Sequence, residues 1–176
     1  NLSNSNTFTN SGTWDLAGTT SNFNFNATGN SLVVNEGLII AASDSAAVEW
    51  PWLDNLDTFR NDVGGTIRLA DGSAGDVFEI GNSGGQATAN FVANGGTIEL
   101  DVVLGGDDSL ADKLEVSGDV ILQDAPTALD IKSVGGGTGA DTTNGIEVVS
   151  VGGTSDEGAF VLAGLVEVGA FAYDLA

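Results

Sequence analysis

Residues 33–40 read VVNEGLII and residues 92–100 read VANGGTIEL. In each, an apolar residue, an asparagine and a glycine are followed at once by a short β-prone run. The same frame occurs as Phe8-Thr9-Asn10-Ser11-Gly12 and, with two extra residues, as Phe59-Arg60-Asn61 followed by Gly65. The anchor glycines 12, 37, 65 and 96 thus lie 25, 28 and 31 residues apart, a spacing typical of repeat proteins. The four frames place Asn10, Asn35, Asn61 and Asn94 at equivalent corners.

After the glycines come TWDL, LIIA, TIRL and TIEL. Strand alternation puts Trp14 and Leu16, Ile67 and Leu69, and Ile98 and Leu100 on one face, with Asp15, Arg68 and Glu99 on the other. Further strands are expected in NFNF at 22–25, DVFEIGN at 76–82 and KLEVSG at 113–118, each bounded by turn-forming residues. No stretch carries a helical period. Several short strands per repeat, with turn residues at a fixed phase, predict an all-β chain wound as a right-handed parallel β-helix. Each coil then buries its apolar face against its neighbours, and stacked asparagines bond one another in a ladder. An antiparallel β-sandwich with coincidental spacing is the alternative.

Composition limits the function. The 176 residues carry 25 acidic groups against Arg60, Arg68, Lys113 and Lys132, a net charge of -21. No basic stripe exists to meet nucleic acid or anionic lipid. Hydrophobic residues make up 41% of the chain, too many for an acidic disordered tail. Histidine, cysteine and methionine are absent, which leaves carboxylates alone as metal ligands, and no cofactor is expected. No apolar run approaches the ~20 residues of a membrane helix, so direct membrane insertion of this segment is not expected. The chain starts in mid-pattern and reads as a piece of something longer.

Four motifs have a functional and a structural interpretation. LGGDDSLADKL at 104–114 lacks the glycine and aspartate phase of the calcium-binding nonapeptide and the frame of an EF-hand. It is assigned to a turn, with weak calcium binding by Asp107, Asp108 and Asp112 as the alternative. GNSGG at 81–85 fits a nucleophile elbow around Ser83, but no histidine exists to activate it. EWPWL at 49–53 places Trp50 and Trp52 beside Pro51 in an excursion between coils. The pair is expected to fold back beside Leu53 and Leu56; an exposed aromatic contact for a protein or glycan is the alternative. SVGGGTGADTTNG at 133–145 reads as a long hairpin loop without the Lys-Ser/Thr of a phosphate loop.

FTNSGTW, LDNLDTFRNDVGGTIRL and ANGGTIELDVVLGGDDSLADKLEVSGDV resemble the last coils of autotransporter passenger domains from Gram-negative bacteria. TTNGIEVVSVGG, GAFVLAG and VEVGAFAYDL resemble the pertactin-like autochaperone region that closes such a passenger. Phe171 stands where that family usually has tyrosine, while Tyr173 is kept, and the 43–55 segment is longer and more apolar than expected. The resemblance implies a β-helix stalk at the bacterial cell surface or outside the cell, exported across the outer membrane through the protein's own C-terminal translocator β-barrel.

Residues 1–104 are accordingly expected to form the last coils and 105–176 the autochaperone cap. Its folding-nucleus core is expected to comprise Ile146, Val148, Phe160, Leu162, Val166, Val168, Phe171 and Tyr173. The expected role is non-enzymatic, with the cap nucleating folding of an adhesin-type colonisation or virulence protein during secretion. The alternative is direct binding of a host-surface or matrix ligand, or self-association, through the β-helix face or Trp50 and Trp52. A secreted enzyme with its catalytic site upstream is a further alternative.

Overall fold

A computed structural model describes residues 6–18, 22–25, 30–43, 47–81 and 88–176. Among these there is no helix. The first sheet contains β1 (Thr7–Asn10), β4 (Leu32–Asn35), β7 (Thr58–Asp62), β10 (Asn90–Asn94) and β13 (Val120–Leu122), in that order. The second runs β2 (Thr13–Asp15), β5 (Leu38–Ile40), β8 (Thr66–Arg68), β11 (Thr97–Val102), β14 (Thr127–Ser133) and β16 (Phe160–Leu162). The third runs β3 (Asn22–Asn24), β6 (Trp52–Asp54), β9 (Val77–Ile80), β12 (Lys113–Val116) and β15 (Val149–Val151).

Every ladder within these sheets is parallel, and from β1 to β15 successive strands of the chain visit the three sheets in turn. This is a parallel β-helix, and it excludes the antiparallel sandwich. The stack continues beyond residue 104 without a break, because β12 to β16 extend the same sheets. The chain then leaves the stack as an antiparallel hairpin, β17 (Val166–Val168) and β18 (Phe171–Tyr173).

Rows of inward side chains form the core. Phe8, Val33, Phe59, Phe91 and Val120 align on the first sheet. Trp14, Ile39, Ile67, Ile98, Leu129 and Leu162 align on the second. Phe59 and Phe91 stack with centroids 5.9 Å apart. Removing either ring is expected to cost about 3–5 kcal/mol, since a buried aromatic leaves a cavity its neighbours cannot fill.

The glycine anchors stack as expected: Leu38 N–H donates to Gly12 O, Thr66 N–H to Gly37 O and Thr97 N–H to Gly65 O. The asparagine ladder is shorter than expected. Asn10 Nδ2 donates to Asn35 Oδ1 and Asn35 Nδ2 to Asn61 Oδ1, both at 2.9 Å. The next place in register belongs to Ala93, and Asn94 pairs instead with Asp62, whose Oδ1 it bonds at 2.7 Å. Phe91 occupies the core row, so the fourth frame is displaced by one residue. Asn61 Nδ2 turns to Thr97 O at 3.4 Å. An added β-carbon at Gly96 would overlap the Asn61 amide, which is why this corner keeps a glycine.

Two other expectations are corrected. The 133–145 segment is not a hairpin loop, because the strands on either side, β14 and β15, lie in different sheets. The 43–55 segment returns to the stack: Trp52 starts β6, and Glu49 O and Pro51 O accept N–H bonds from Val77 and Glu79. Proline is tolerated because it precedes the strand.

Candidate functional site

The site is the C-terminal end, where the hairpin folds over the last coils. A two-residue turn with Gly169 at φ 61° joins β17 to β18, a backbone that favours glycine. Register pairs Val166 with Tyr173 and Val168 with Phe171, so these four side chains share one face. Val166 is buried in a small cluster with Val102 and Leu104, against which Ile131, Ile146, Val148, Leu162, Val168 and Tyr173 pack.

The eight residues expected to form one cap core are thus divided. Ile146, Val148, Leu162, Val166, Val168 and Tyr173 meet in this cluster. Phe160 belongs to the main core, where it stacks on Phe91 at 5.8 Å. Phe171 lies close over Gly139, which adopts φ 75°. A cavity of about 290 Å³ opens beneath the hairpin, lined in part by Val102, Leu104, Ile131, Ile146, Phe171 and Leu175.

Two polar residues fasten the closure. The Tyr173 hydroxyl donates to Gly105 O at 3.1 Å, with Ala140 O at 3.3 Å, and accepts the Ala140 N–H at 3.1 Å. It therefore joins the hairpin, the glycine turn after β11 and the connection between β14 and β15. Asp107 Oδ1 accepts the N–H groups of Thr143, Asn144 and Gly145 at 2.8, 3.1 and 3.3 Å. These bonds hold its carboxyl below the usual carboxylate range.

The acids of the 104–114 stretch consequently do different things. Asp108 is exposed and Asp112 is fully buried. Asp112 accepts the N–H groups of Gly75, Asp76 and Asp101 at 2.9, 3.0 and 2.7 Å. Burial pushes it up to about 7, and pushes Asp76, which accepts the Glu49 N–H at 2.6 Å, up to about 6. Asp112 thereby ties β11 to the corner before β9. The sequence singled out Asp112 only as an alternative calcium ligand and did not reveal this tie, because its three N–H donors lie 11 to 37 residues away and leave no local pattern. Among the described residues no three carboxylates are placed to share a metal ion.

The remaining candidates stand apart. Ser83 lies outside the described residues. Arg60 and Arg68 are paired with Asp62 and Glu99 at 2.7 and 2.5 Å. Leu53 and Leu56 are buried in the core. Trp52, one residue before Leu53, points outward by strand alternation, and Trp50 is 41% exposed. The two indoles therefore do not pack beside those leucines.

Residues 71–175 match the family model described as Autochaperone Domain Type 1. The chain is 39% identical over 100 residues to the uncharacterized protein YdeU of Escherichia coli K12, covering 56% of this chain and 21% of that protein. It is 33% identical over 111 residues to the uncharacterized protein YuaQ of the same strain, covering 63% of this chain and 7% of that one. It is 37% identical over 94 residues to the adhesin BmaC autotransporter of Brucella suis biovar 1, covering 49% of this chain and 3% of that protein. The chain therefore spans about a fifth of the first of these relatives and less than a tenth of the other two.

Proposed function

The chain belongs to the Autochaperone Domain Type 1 family, and from that premise we propose that it is a non-enzymatic passenger segment whose residues 105–176 nucleate and close a β-helix during export. The observation that carries the proposal is the fastening of the terminal hairpin: Tyr173 bonds both Gly105 and Ala140, 68 and 33 residues away in sequence. Apart from Val102 and Leu104, the apolar cluster and the latches come from residues 105–176, so this end of the chain can order before the coils above it. Parallel pairing is slow to start, because each rung joins residues some 25 residues apart or more, and loop closure must precede any gain. A preformed last coil removes that delay and offers the next coil a template. It also covers backbone groups that would otherwise invite aggregation.

In the whole protein this segment would lie outside the cell or on its surface, exported through a C-terminal translocator β-barrel, and would serve an adhesin-type colonisation or virulence protein. The likeness to the adhesin BmaC autotransporter supports that setting.

The test is refolding in two pieces. Residues 1–104 alone should refold poorly and aggregate, and separately added 105–176 should restore part of the yield. If 1–104 refolds equally fast and reversibly alone, the module is a lid and not a nucleus.

A further inference from the structure

The outer face of the third sheet carries a feature unrelated to capping. Trp52, Glu79, Glu115 and Ser150 stand in one register row across β6, β9, β12 and β15. The inward partners Leu53, Ile80 and Val116 are buried, which fixes this row on the outside. Trp50 lies two residues before Trp52, on the same side, and its indole N–H donates to Glu79 Oε2 at 3.2 Å. Glu79 is only 7% exposed and already holds that indole, while Val48, 62% exposed, and Trp50, 41% exposed, leave an apolar strip open beside the half-buried Glu115.

We propose that this face docks an extended basic segment of another protein, with guanidinium or ammonium groups set over Trp50 and Trp52 and against Glu115. Indole faces attract cations, and Trp is the strongest of the aromatic partners. The neighbouring Glu115 carboxylate adds a charge-assisted hydrogen bond. The charge balance of the chain selects the partner. Its net charge is -21, and each of its four basic side chains is already bound to a carboxylate of its own: Arg60 to Asp62, Arg68 to Glu99, Lys113 to Glu147 and Lys132 to Asp130. Anionic partners are repelled and find no cation to receive them, whereas a basic segment is steered toward the surface. The indoles convert that general attraction into a fixed site.

The experiment is calorimetric titration of the whole chain with hexaarginine, and separately with cellohexaose, in salt of about 0.15 M, where diffuse attraction is screened. The wild-type chain should bind hexaarginine. The double replacement Trp50→Ala/Trp52→Ala leaves the net charge unchanged and should weaken binding at least about tenfold, as loss of a central aromatic anchor does. Equal affinity in the double variant would show adsorption to an acidic surface and overturn the proposal. So would absence of hexaarginine binding, or binding of cellohexaose in its place. Should the double variant fail to fold, Trp50→Ala and Glu115→Gln decide singly: weakened binding with an unchanged circular dichroism spectrum supports the site, and retained affinity in both overturns it.

Discussion

Asn35→Ala separates the stacked ladder from the repeat pattern that suggested it. Asn35 is fully buried and makes three hydrogen bonds: it accepts from Asn10 Nδ2 at 2.9 Å and donates to Asn61 Oδ1 at 2.9 Å and Thr66 O at 3.3 Å. Alanine strands Asn61 Oδ1, on a residue that is itself fully buried, and a stranded buried polar group costs about 1–3 kcal/mol. The lost bond to Asn10, nearer the end of the stack, adds about 1 kcal/mol, for a total of about 2–4 kcal/mol. Asn94 occupies the same place in the sequence frame, yet it is only half-buried and bonds Asp62 and the Asp124 N–H. Water can replace these partners, so Asn94→Ala should cost about 1 kcal/mol or less. Urea denaturation followed by circular dichroism measures both. With a slope of about 2 kcal/mol per molar, Asn35→Ala should lower the midpoint by about 1–2 M and Asn94→Ala by about 0.5 M or less. Equal losses at the two sites would refute the register that puts Ala93 in the ladder.

Stability should fall as the pH rises from about 4 to about 7. Asp76 and Asp112 have folded values of about 6 and about 7 against 3.8 in the unfolded chain. In that window the folded state therefore holds more protons, and its stability is greatest on the acid side. The melting temperature should be higher at pH 5 than at pH 8, and Asp76→Asn, which keeps an acceptor for Glu49 N–H, should flatten the difference. A higher melting temperature at pH 8 would contradict the assignment. Gly96→Ala should destabilise by about 1–3 kcal/mol through its overlap with Asn61. Gly12→Ala, with open space around it, should be nearly neutral in the same thermal melts. Tyr173→Phe removes the latch hydroxyl and should cost about 1–2 kcal/mol, with faster hydrogen exchange at Ala140; unchanged exchange there would mean that the hydroxyl does not hold the connection.

The sequence makes the glycine corners legible because backbone approach forces them. At Gly37 and Gly65 an added β-carbon would strike the backbone of the preceding coil, so the residue type records a tertiary contact. The asparagine phase is less readable because corners vary in length. One residue separates Asn35 from Gly37, but three separate Asn61 from Gly65. Counting back from Gly96 therefore finds Asn94, although Phe91 sets the register. The stretch around Pro51 read as an excursion at a place where a strand is only about to begin. The 133–145 segment looked like a hairpin because glycine content reports turns without reporting which sheet the next strand joins. Asp107 stood out in its motif, yet its role depends on N–H groups 36 to 38 residues away. The apolar set from Ile146 to Tyr173 was visible, but its division between two clusters follows from Phe160 reaching Phe91 across the coil.

Pulse-labelled hydrogen exchange during refolding of the whole chain tests the order of folding most directly. The Gly139, Ala140, Gly152 and Ala163 amides, bonded to Leu104 O, the Tyr173 hydroxyl, Val116 O and Leu129 O, should gain protection first. The Leu38, Ala41 and Thr66 amides, bonded to Gly12 O, Arg68 O and Gly37 O, should follow in a later phase. Protection of the Leu38, Ala41 and Thr66 amides at the same time as the C-terminal set, or before it, would contradict a C-terminal nucleus.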